Sequence, residues 1–235
     1  MNLSFIADII FPVHCVSCGD PVLSSDNGIC RGCASELRFI HDGCSCCSGI
    51  MQEGVCTICS DREFYPERNI ILFEYKGAAL NMIHALKFKG IRGVSRAIIP
   101  PAAERIGEIA DQVDFITSVP MVKKKERARG YNQSAIIAEG IAKSLGKLYQ
   151  PLLREKDNSL VQRDLNYTER FINVIDRYEI IENSRIIDKN VLVVDDVFTT
   201  GATLNECSRC LIAGGAKKVF TFAVVRSDMR RPDNM

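Results

Sequence analysis

From residue 69 onward the chain alternates between two hydrophobic rhythms. NIILFEYK (69–76), DFITSVP (114–120), NVLVVDD (190–196) and KVFTFAVVR (218–226) are short apolar runs that read as strands. Between them apolar residues recur every three or four positions. AALNMIHALKF (78–88) reads as a helix with Leu80, Ile83 and Leu86 on one face. NQSAIIAEGIAKSLG (132–146) reads as a second, with Asn132 as N-cap and Gly146 as its stop, and ATLNECSRCLIAGGA (202–216) as another, closed by Gly214 and Gly215. SRAIIPPAAERIGEIA (95–110) is helical on one or both sides of Pro100 and Pro101, which are expected to interrupt or begin the helix. Strand–helix alternation of this kind predicts an α/β fold: a mostly parallel sheet covered by helices on both faces.

Before about residue 62 the rhythm is absent, and the text is rich in Cys, Ser, Gly and Asp. The expected organisation is therefore a small Cys-rich module over 1–62, followed by an α/β domain over 63–235. The opening MNLSFIADIIFPV has no early Lys or Arg and carries Asp8, so it reads as a short amphipathic helix rather than a signal peptide. No apolar run approaches the roughly 18–20 residues that span a bilayer. A formal net charge of +1 gives no global bias toward nucleic acid or membrane, so any such preference must be local.

Cysteine changes the picture most. Nine of the eleven cysteines lie between Cys15 and Cys59, and eight of these form four C-x-x-C pairs. This spacing suits tetrahedral zinc far better than disulfides. Cys15 and Cys18 with Cys30 and Cys33 make one expected four-thiolate ribbon; Cys44 and Cys47 with Cys56 and Cys59 make a second. An interleaved pairing of the knuckles stays open, so one or two ions are expected. Four thiolates leave no open coordination position, which makes the zinc structural. Cys46 is left out on spacing, His14 and His41 read as bystanders, and Cys207 and Cys210 read as small buried apolar residues. Reduced thiols and an α/β pattern point to the cytoplasm.

The richest stretch is VLVVDDVFTTGAT (191–203). In open α/β sheets ligands bind beyond the strands' carboxyl ends, where Asp195 and Asp196 are expected. The following turn leads into a helix whose first amides lack intrahelical partners, an anion site. Gly201 lets backbone approach an anion, Ala202 continues the turn, and Thr199, Thr200 and Thr203 add hydroxyl donors. Carboxylates accept hydrogen bonds, so the acidic pair suits hydroxyls. A phosphate with vicinal hydroxyls nearby is a ribose 5-phosphate.

VVDDVFTTGAT closely resembles the signature of the type I phosphoribosyltransferases. In that family the loop holds the 5-phosphate of phosphoribosyl pyrophosphate and the acidic pair holds the ribose hydroxyls. Cysteine pairs ahead of such a domain, with YKGAALNMIHALKFKG (75–90), RGYNQ (129–133) and Gln162 before Arg170, make the chain resemble the competence protein F family, also called GntX-like. The likeness spans roughly residues 5–226. It implies a type I phosphoribosyltransferase-like domain behind a double zinc ribbon, and a part in the uptake of transforming DNA. Where members often have Val-Pro-Val-Pro-Leu-His, this chain has Thr117-Ser118-Val119-Pro120-Met121-Val122, so no catalytic histidine is assigned.

KKKERARGYNQ (123–133) packs five positive charges into seven residues, Lys123, Lys124, Lys125, Arg127 and Arg129, against one Glu. It follows a strand and so lies near the phosphate loop. The pyrophosphate needs cations, with Mg²⁺ bridging ribose and pyrophosphate oxygens. Arg129 is the first choice for that contact and Arg127 the second, because guanidinium is bidentate. QRDLNYTER, with Gln162, Arg163 and Arg170, is a candidate lid. Two readings follow. One is an enzyme in which Asp195, Asp196 and Arg129 carry phosphoribosyl transfer. The other is a non-catalytic factor that binds single-stranded DNA or a DNA-uptake protein through its basic run and ribbons.

Overall fold

The computed structural model describes residues 13–23, 27–41, 43–49, 51–56, 59, 63–88, 90, 92–156, 176–182 and 185–227. The expected N-terminal helix and the candidate lid with Gln162, Arg163 and Arg170 lie outside them.

The sheet has five strands, all parallel, in the order β5 (Arg68–Glu74), β11 (Lys218–Arg226), β10 (Asn190–Phe198), β6 (Phe115–Ser118) and β7 (Leu148–Tyr149). The two central strands show why such strands read as unbroken apolar runs. In β11, Phe220, Phe222 and Val224 enter one core while Val219 and Ala223 enter the other. In β10, Leu192 and Val194 go one way and Val191 and Val193 the other. Strand geometry alternates side chains between faces, and here both faces are dry.

The first face carries three helices: α2 (Gly77–Phe88), α3 (Ser95–Gly107) and α5 (Gln133–Leu145). Met82, Ile83 and Leu86 of α2, Ile98, Ala102 and Ile106 of α3, and Ile137 and Ile141 of α5 close over the sheet. Asn132 caps α5 through a hydrogen bond from the Ser134 amide, and Gly146 ends it in the left-handed region at φ 64°. The helix α3 corrects one expectation. It runs unbroken through Pro100 and Pro101. Both rings sit on its outer side, exposed and half-buried, while Ile98, Ala102 and Ile106 anchor the inner side. Burial of that stripe outweighs the two backbone hydrogen bonds the prolines cannot make.

On the second face lies α6 (Ala202–Ala213), with Leu204, Cys207 and Leu211 inward. Beside it sits an antiparallel pair, β8 (Leu153–Glu155) with β9 (Tyr178–Ile180). The remaining cover comes from the Cys-rich module. Cys44, Cys47, Cys56 and Cys59 are all buried and pack in the same core as Ile71, Val193 and Ala223. Residues 38–41 and 43–45 run along the edge of β5: the Glu74 amide donates to Arg38, Ile40 to Leu72, and Asn69 to Ser45. An open sheet edge is thereby sealed. Packing thus crosses the compositional boundary near residue 62.

The first cysteine group is built differently. It combines β1 (Val13–His14) and β2 (Pro21–Val22) with the short helix α1 (Arg31–Ser35). Cys15 and Cys33 pack on Ala78 in the first turn of α2, and Asn81 donates to Ser17. β3 (Met51–Gln52) and β4 (Val55–Cys56) form the hairpin of the second group. The basic run 123–129, to which the sequence pattern assigns no element, is a seven-residue helix α4 (Lys123–Arg129) stopped by Gly130 at φ 82°.

Candidate functional site

β10 continues two residues past the acidic pair, to Phe198, before the chain turns. The two carboxylates are therefore set inside the rim rather than on it. Asp196 is 4% exposed, and its Oδ2 lies 2.9 Å from Nζ of Lys87 on α2. Asp195 Oδ1 accepts from Ser134 Oγ at 2.9 Å and from the Asp196 amide at 2.8 Å. Burial, with the Asp196 charge adding to it, pushes the Asp195 carboxyl up to about 7, and Lys87 opposes the shift.

Neither Lys87 nor Ser134 was assigned from the sequence, yet both lie in or beside motifs it singled out. RGYNQ shows how they are placed. Gly130 ends α4, the Tyr131 hydroxyl donates to the Leu86 carbonyl beside Lys87, and Asn132 starts α5 just before Ser134. Asn132 Nδ2 also donates to the Val119 carbonyl at 2.9 Å, fixing the turn after β6. One short motif thus ties the end of α2 and the start of α5 to the acidic pair.

The turn after β10 holds Thr199, Thr200 and Gly201, and α6 begins at Ala202. Thr200 is buried, and its Oγ1 accepts from the Ala202 amide at 3.3 Å. Gly201 sits at φ 80°, where a side chain is strained. It was expected to leave room for an anion. On the side where a Cβ would project, the room is instead taken by aromatic rings: that carbon would meet Phe198 at 2.5 Å and Phe64 at 3.1 Å. Residues 63–65 are held there by Asn205, which accepts from the Tyr65 amide at 2.8 Å and donates to the Glu63 carbonyl at 3.1 Å. The segment joining the Cys-rich module to the sheet thus braces the first turn of α6, which no sequence signal announced.

Asp195 and Thr203 open onto a cavity of about 390 Å³ whose cationic lining is Lys87, Lys125, Arg129 and Arg177. Arg129 donates to Gln133 Oε1 at 2.5 Å and lies 6.0 Å from the centre of the Phe88 ring. Of the five cations expected nearby, Lys125 and Arg129 therefore reach this cavity. Lys123 lines an adjoining cavity of about 410 Å³, and Lys124 and Arg127 stand exposed on α4. A buried acidic pair, a helix start and converging cations form a charged cleft suited to a polyol phosphate.

The cysteines fall into two four-sulfur groups, Cys15/Cys18/Cys30/Cys33 and Cys44/Cys47/Cys56/Cys59, with all sulfurs of a group within 4.8 Å of one another. The sequential pairing of knuckles holds, and Cys46 lies outside both groups. Tetrahedral zinc with Zn–S of about 2.3 Å sets sulfurs about 3.8 Å apart. Cys18 and Cys30 stand at 3.8 Å, Cys44 and Cys59 at 3.4 Å, and Cys47 and Cys56 at 3.5 Å. Amides of Cys30, Cys33 and Cys46 point at Sγ atoms of Cys15, Cys30 and Cys44, as they do around bound thiolates. Burial pushes the Cys47 and Cys59 thiols up, so a cation must accompany their ionisation. The donor set fits structural zinc at both sites. Cys207 is fully buried as expected, and Cys210 donates to the Tyr178 carbonyl.

Family comparison agrees with this division of chemistry. The family model described as "Double zinc ribbon domain" matches residues 6–66, and "Phosphoribosyl transferase domain" matches residues 131–234. Competence protein ComFC of Bacillus subtilis is 26% identical over 220 residues, covering 88% of this chain and 87% of that protein. Competence protein F of Haemophilus influenzae is 27% identical over 233 residues, covering 92% and 98%. A crystal structure of a hypoxanthine phosphoribosyltransferase from Staphylococcus aureus is 15% identical, with a TM-score of 0.40 over 60% of this chain and 69% of that one. Among the described residues no helix is long and apolar enough to cross a membrane.

Proposed function

We propose that this chain, which belongs to the competence protein F family with its double zinc ribbon and phosphoribosyl transferase domain, binds phosphoribosyl pyrophosphate or a related ribose 5-phosphate with Mg²⁺, and acts in the cytoplasm in DNA uptake. The observation that carries the reading is Asp195, with Asp196 buried beside it, near the start of α6 on a cavity lined by Lys87, Lys125, Arg129 and the Arg177–Glu155 ion pair. The 5-phosphate would meet the turn Thr199–Thr203 and its amides. The ribose hydroxyls would donate to Asp195 and Asp196, which can only accept when ionised. The diphosphate would lie toward Arg129 and Lys125. Mg²⁺, when bound, supplies neutralising charge on the ligand's own ribose and diphosphate oxygens. Asp195, a carboxylate that lines the cavity, is the protein group that would face it. DNA uptake follows from the relatives' names.

The test is ligand-dependent stability. At a hundredfold excess over Kd a ligand that binds only the folded state adds about 2.7 kcal/mol. In a chain of this size that raises Tm by about 5–10 °C. Phosphoribosyl pyrophosphate with Mg²⁺ should do this, and Asp196→Asn should abolish it. The absence of a shift with any ribose 5-phosphate, with or without Mg²⁺, refutes the reading.

A second reading rests on Lys124 and Arg127, which are exposed and outside the cleft. They suit phosphates of single-stranded DNA, whose affinity should then fall steeply with salt. A flat salt response counts against it.

A further inference from the structure

The cavity of about 410 Å³ that adjoins the cleft holds neither the acidic pair nor the phosphate turn. It lies beyond the carboxyl ends of β6 and β7, on the side of the sheet away from β11. Pro120, Met121 and Val122 line both cavities and form the wall between them. Its lining carries a pair of hydroxyls: Ser118 Oγ, in a residue only 5% exposed, lies 3.1 Å from Tyr149 Oη. Next to Ser118, Thr117 Oγ1 accepts from the Leu152 amide at 3.1 Å, which fixes the connection whose Pro151 and Leu153 line the same space.

Unlike the cleft, this cavity has balanced charge. Lys123, Arg154 and Lys156 line it together with Glu126, Glu155 and Glu179. Arg154 is paired with Glu179 and Lys156 with Asp176, both at 2.7 Å, and Glu155 with Arg177 at 2.5 Å. Lys123 and Glu126, about one turn apart on α4, offset each other. An anion therefore gains little here. Pro120, Met121, Pro151 and Leu153 instead offer apolar contact to a ligand's faces. A hydroxyl both donates and accepts. One hydrogen of the Ser118–Tyr149 pair is used between the two oxygens, which leaves one donor and spare lone pairs for a ligand's edge. Burial raises the Tyr149 pKa, so its phenol stays protonated at neutral pH. Apolar contact on the faces, with a donor and an acceptor side by side at the edge, is what an uncharged nitrogen heterocycle requires. We propose that this cavity is a second ligand site, which takes an uncharged nucleobase or nucleoside beside the cleft. The site stands apart from the phosphoribosyl reading: Asp195, the turn Thr199–Thr203, Lys125 and Arg129 are all outside its lining.

The experiment titrates adenosine and thymidine into the full chain, read by saturation-transfer NMR, with and without excess phosphoribosyl pyrophosphate and Mg²⁺. At least one nucleoside should bind, and equally well when phosphoribosyl pyrophosphate is present. Tyr149→Phe, which keeps the ring and loses the hydroxyl, should weaken that binding about three- to tenfold. Ala135→Leu, which adds bulk to the lining from α5, should abolish it. The two substitutions lie on different elements, so one that fails to fold leaves the other to decide. Added salt should leave the affinity unchanged. The site is overturned if neither nucleoside binds, if phosphoribosyl pyrophosphate displaces the one that does, or if the folded variants bind like wild type. A steep salt dependence overturns the uncharged class. Nucleoside binding without stabilisation by any ribose 5-phosphate keeps this site and removes the phosphoribosyl reading; the reverse removes this site alone.

Discussion

The two cysteine sites, alike in ligands, should differ sharply in what they hold up. Cys47 is 1% exposed and shares a core with Ile71, Val193, Leu204 and Ala223, so the second site is part of the sheet's interior. Cys18 is exposed, and the first site meets the rest through a small cluster on Ala78 and the partly buried Val16, Ile29 and Leu37. Structural zinc is worth about 10–16 kcal/mol of binding free energy in small domains. A whole domain's stability is about 5–15 kcal/mol. If Cys47→Ser forfeits only a quarter of the metal's contribution, the loss is about 2.5–4 kcal/mol. At about 2–4 °C per kcal/mol for a chain of this length, Tm should fall by about 5–16 °C. Cys18→Ser should lower the main transition by less than about 4 °C, because a frayed first ribbon exposes little of the sheet core. Calorimetry gives the transitions, a chromogenic chelator gives zinc per chain, and hydrogen exchange at Val191–Val194 reports the central strand. Loss of one zinc in Cys47→Ser with an unmoved sheet transition would refute the reasoning, and so would equal losses in the two variants.

Two further outcomes test the cleft. With its pKa near 7, Asp195 is mostly protonated at pH 6 and mostly ionised at pH 8. The ionised form accepts at both oxygens and more strongly, so affinity for phosphoribosyl pyrophosphate should rise by up to about tenfold as pH climbs through 7. The groups facing Asp195 are Asp196 on its own strand, Lys87 from α2, Ser134 from α5, Cys207 from α6 and Tyr178 from β9, with Arg129, Arg177 and Glu155 across the cavity; Asp195→Asn should remove the steepest part of the pH dependence. The sign for stability is opposite. The unfolded carboxyl loses its proton near its ordinary value of about 4, so this group's contribution falls as pH rises from about 4 to 7, and Asp195→Asn should flatten that slope in denaturant melts. Gly201→Ala must hold a side chain at φ 80° and drive Cβ into the Phe198 ring, which should cost about 2–4 kcal/mol. Urea unfolding reads that cost, and a loss under about 0.5 kcal/mol would show that the rings give way easily.

What could be read from the chain follows how local each signal is. β11 appears at its expected bounds because a buried parallel strand shows its whole length as an apolar run. The capping of α5 by Asn132 and Gly146 was legible because caps are chosen by the backbone within a few residues. The cysteine knuckles were legible for the same reason. Helix α3 was misjudged at Pro100 and Pro101 because the isoleucine stripe that holds it together acts across the fold. Helix α4 was hidden because a charged helix with no buried residue has no apolar period to show. Lys87 was the largest omission. In an apolar helical stretch a lysine near the end reads as a solvated cap, and only the approach of α2 to β10 turns it toward Asp196.

That approach bears on how the cleft can exist at all. Two carboxylates side by side, one of them nearly inaccessible, repel each other and lose solvation, so they are tolerable only where opposite charge and donors are already in place. Those come from parts far apart in sequence: Lys87 from α2, Ser134 from α5, and the turn at Gly201 braced by Phe64 from the edge of the cysteine module. No half of the chain can assemble them alone. The first ribbon rests on Ala78 at one end of α2, while Lys87 lies nine residues on, about 14 Å along the helix axis. The second ribbon closes the opposite face of the same sheet. The second cysteine group, which closes one face of the sheet and leads into Phe64 at the Gly201 turn, thus helps to seat the elements around the acidic pair, and its zinc would bear on the cleft's chemistry without touching the ligand.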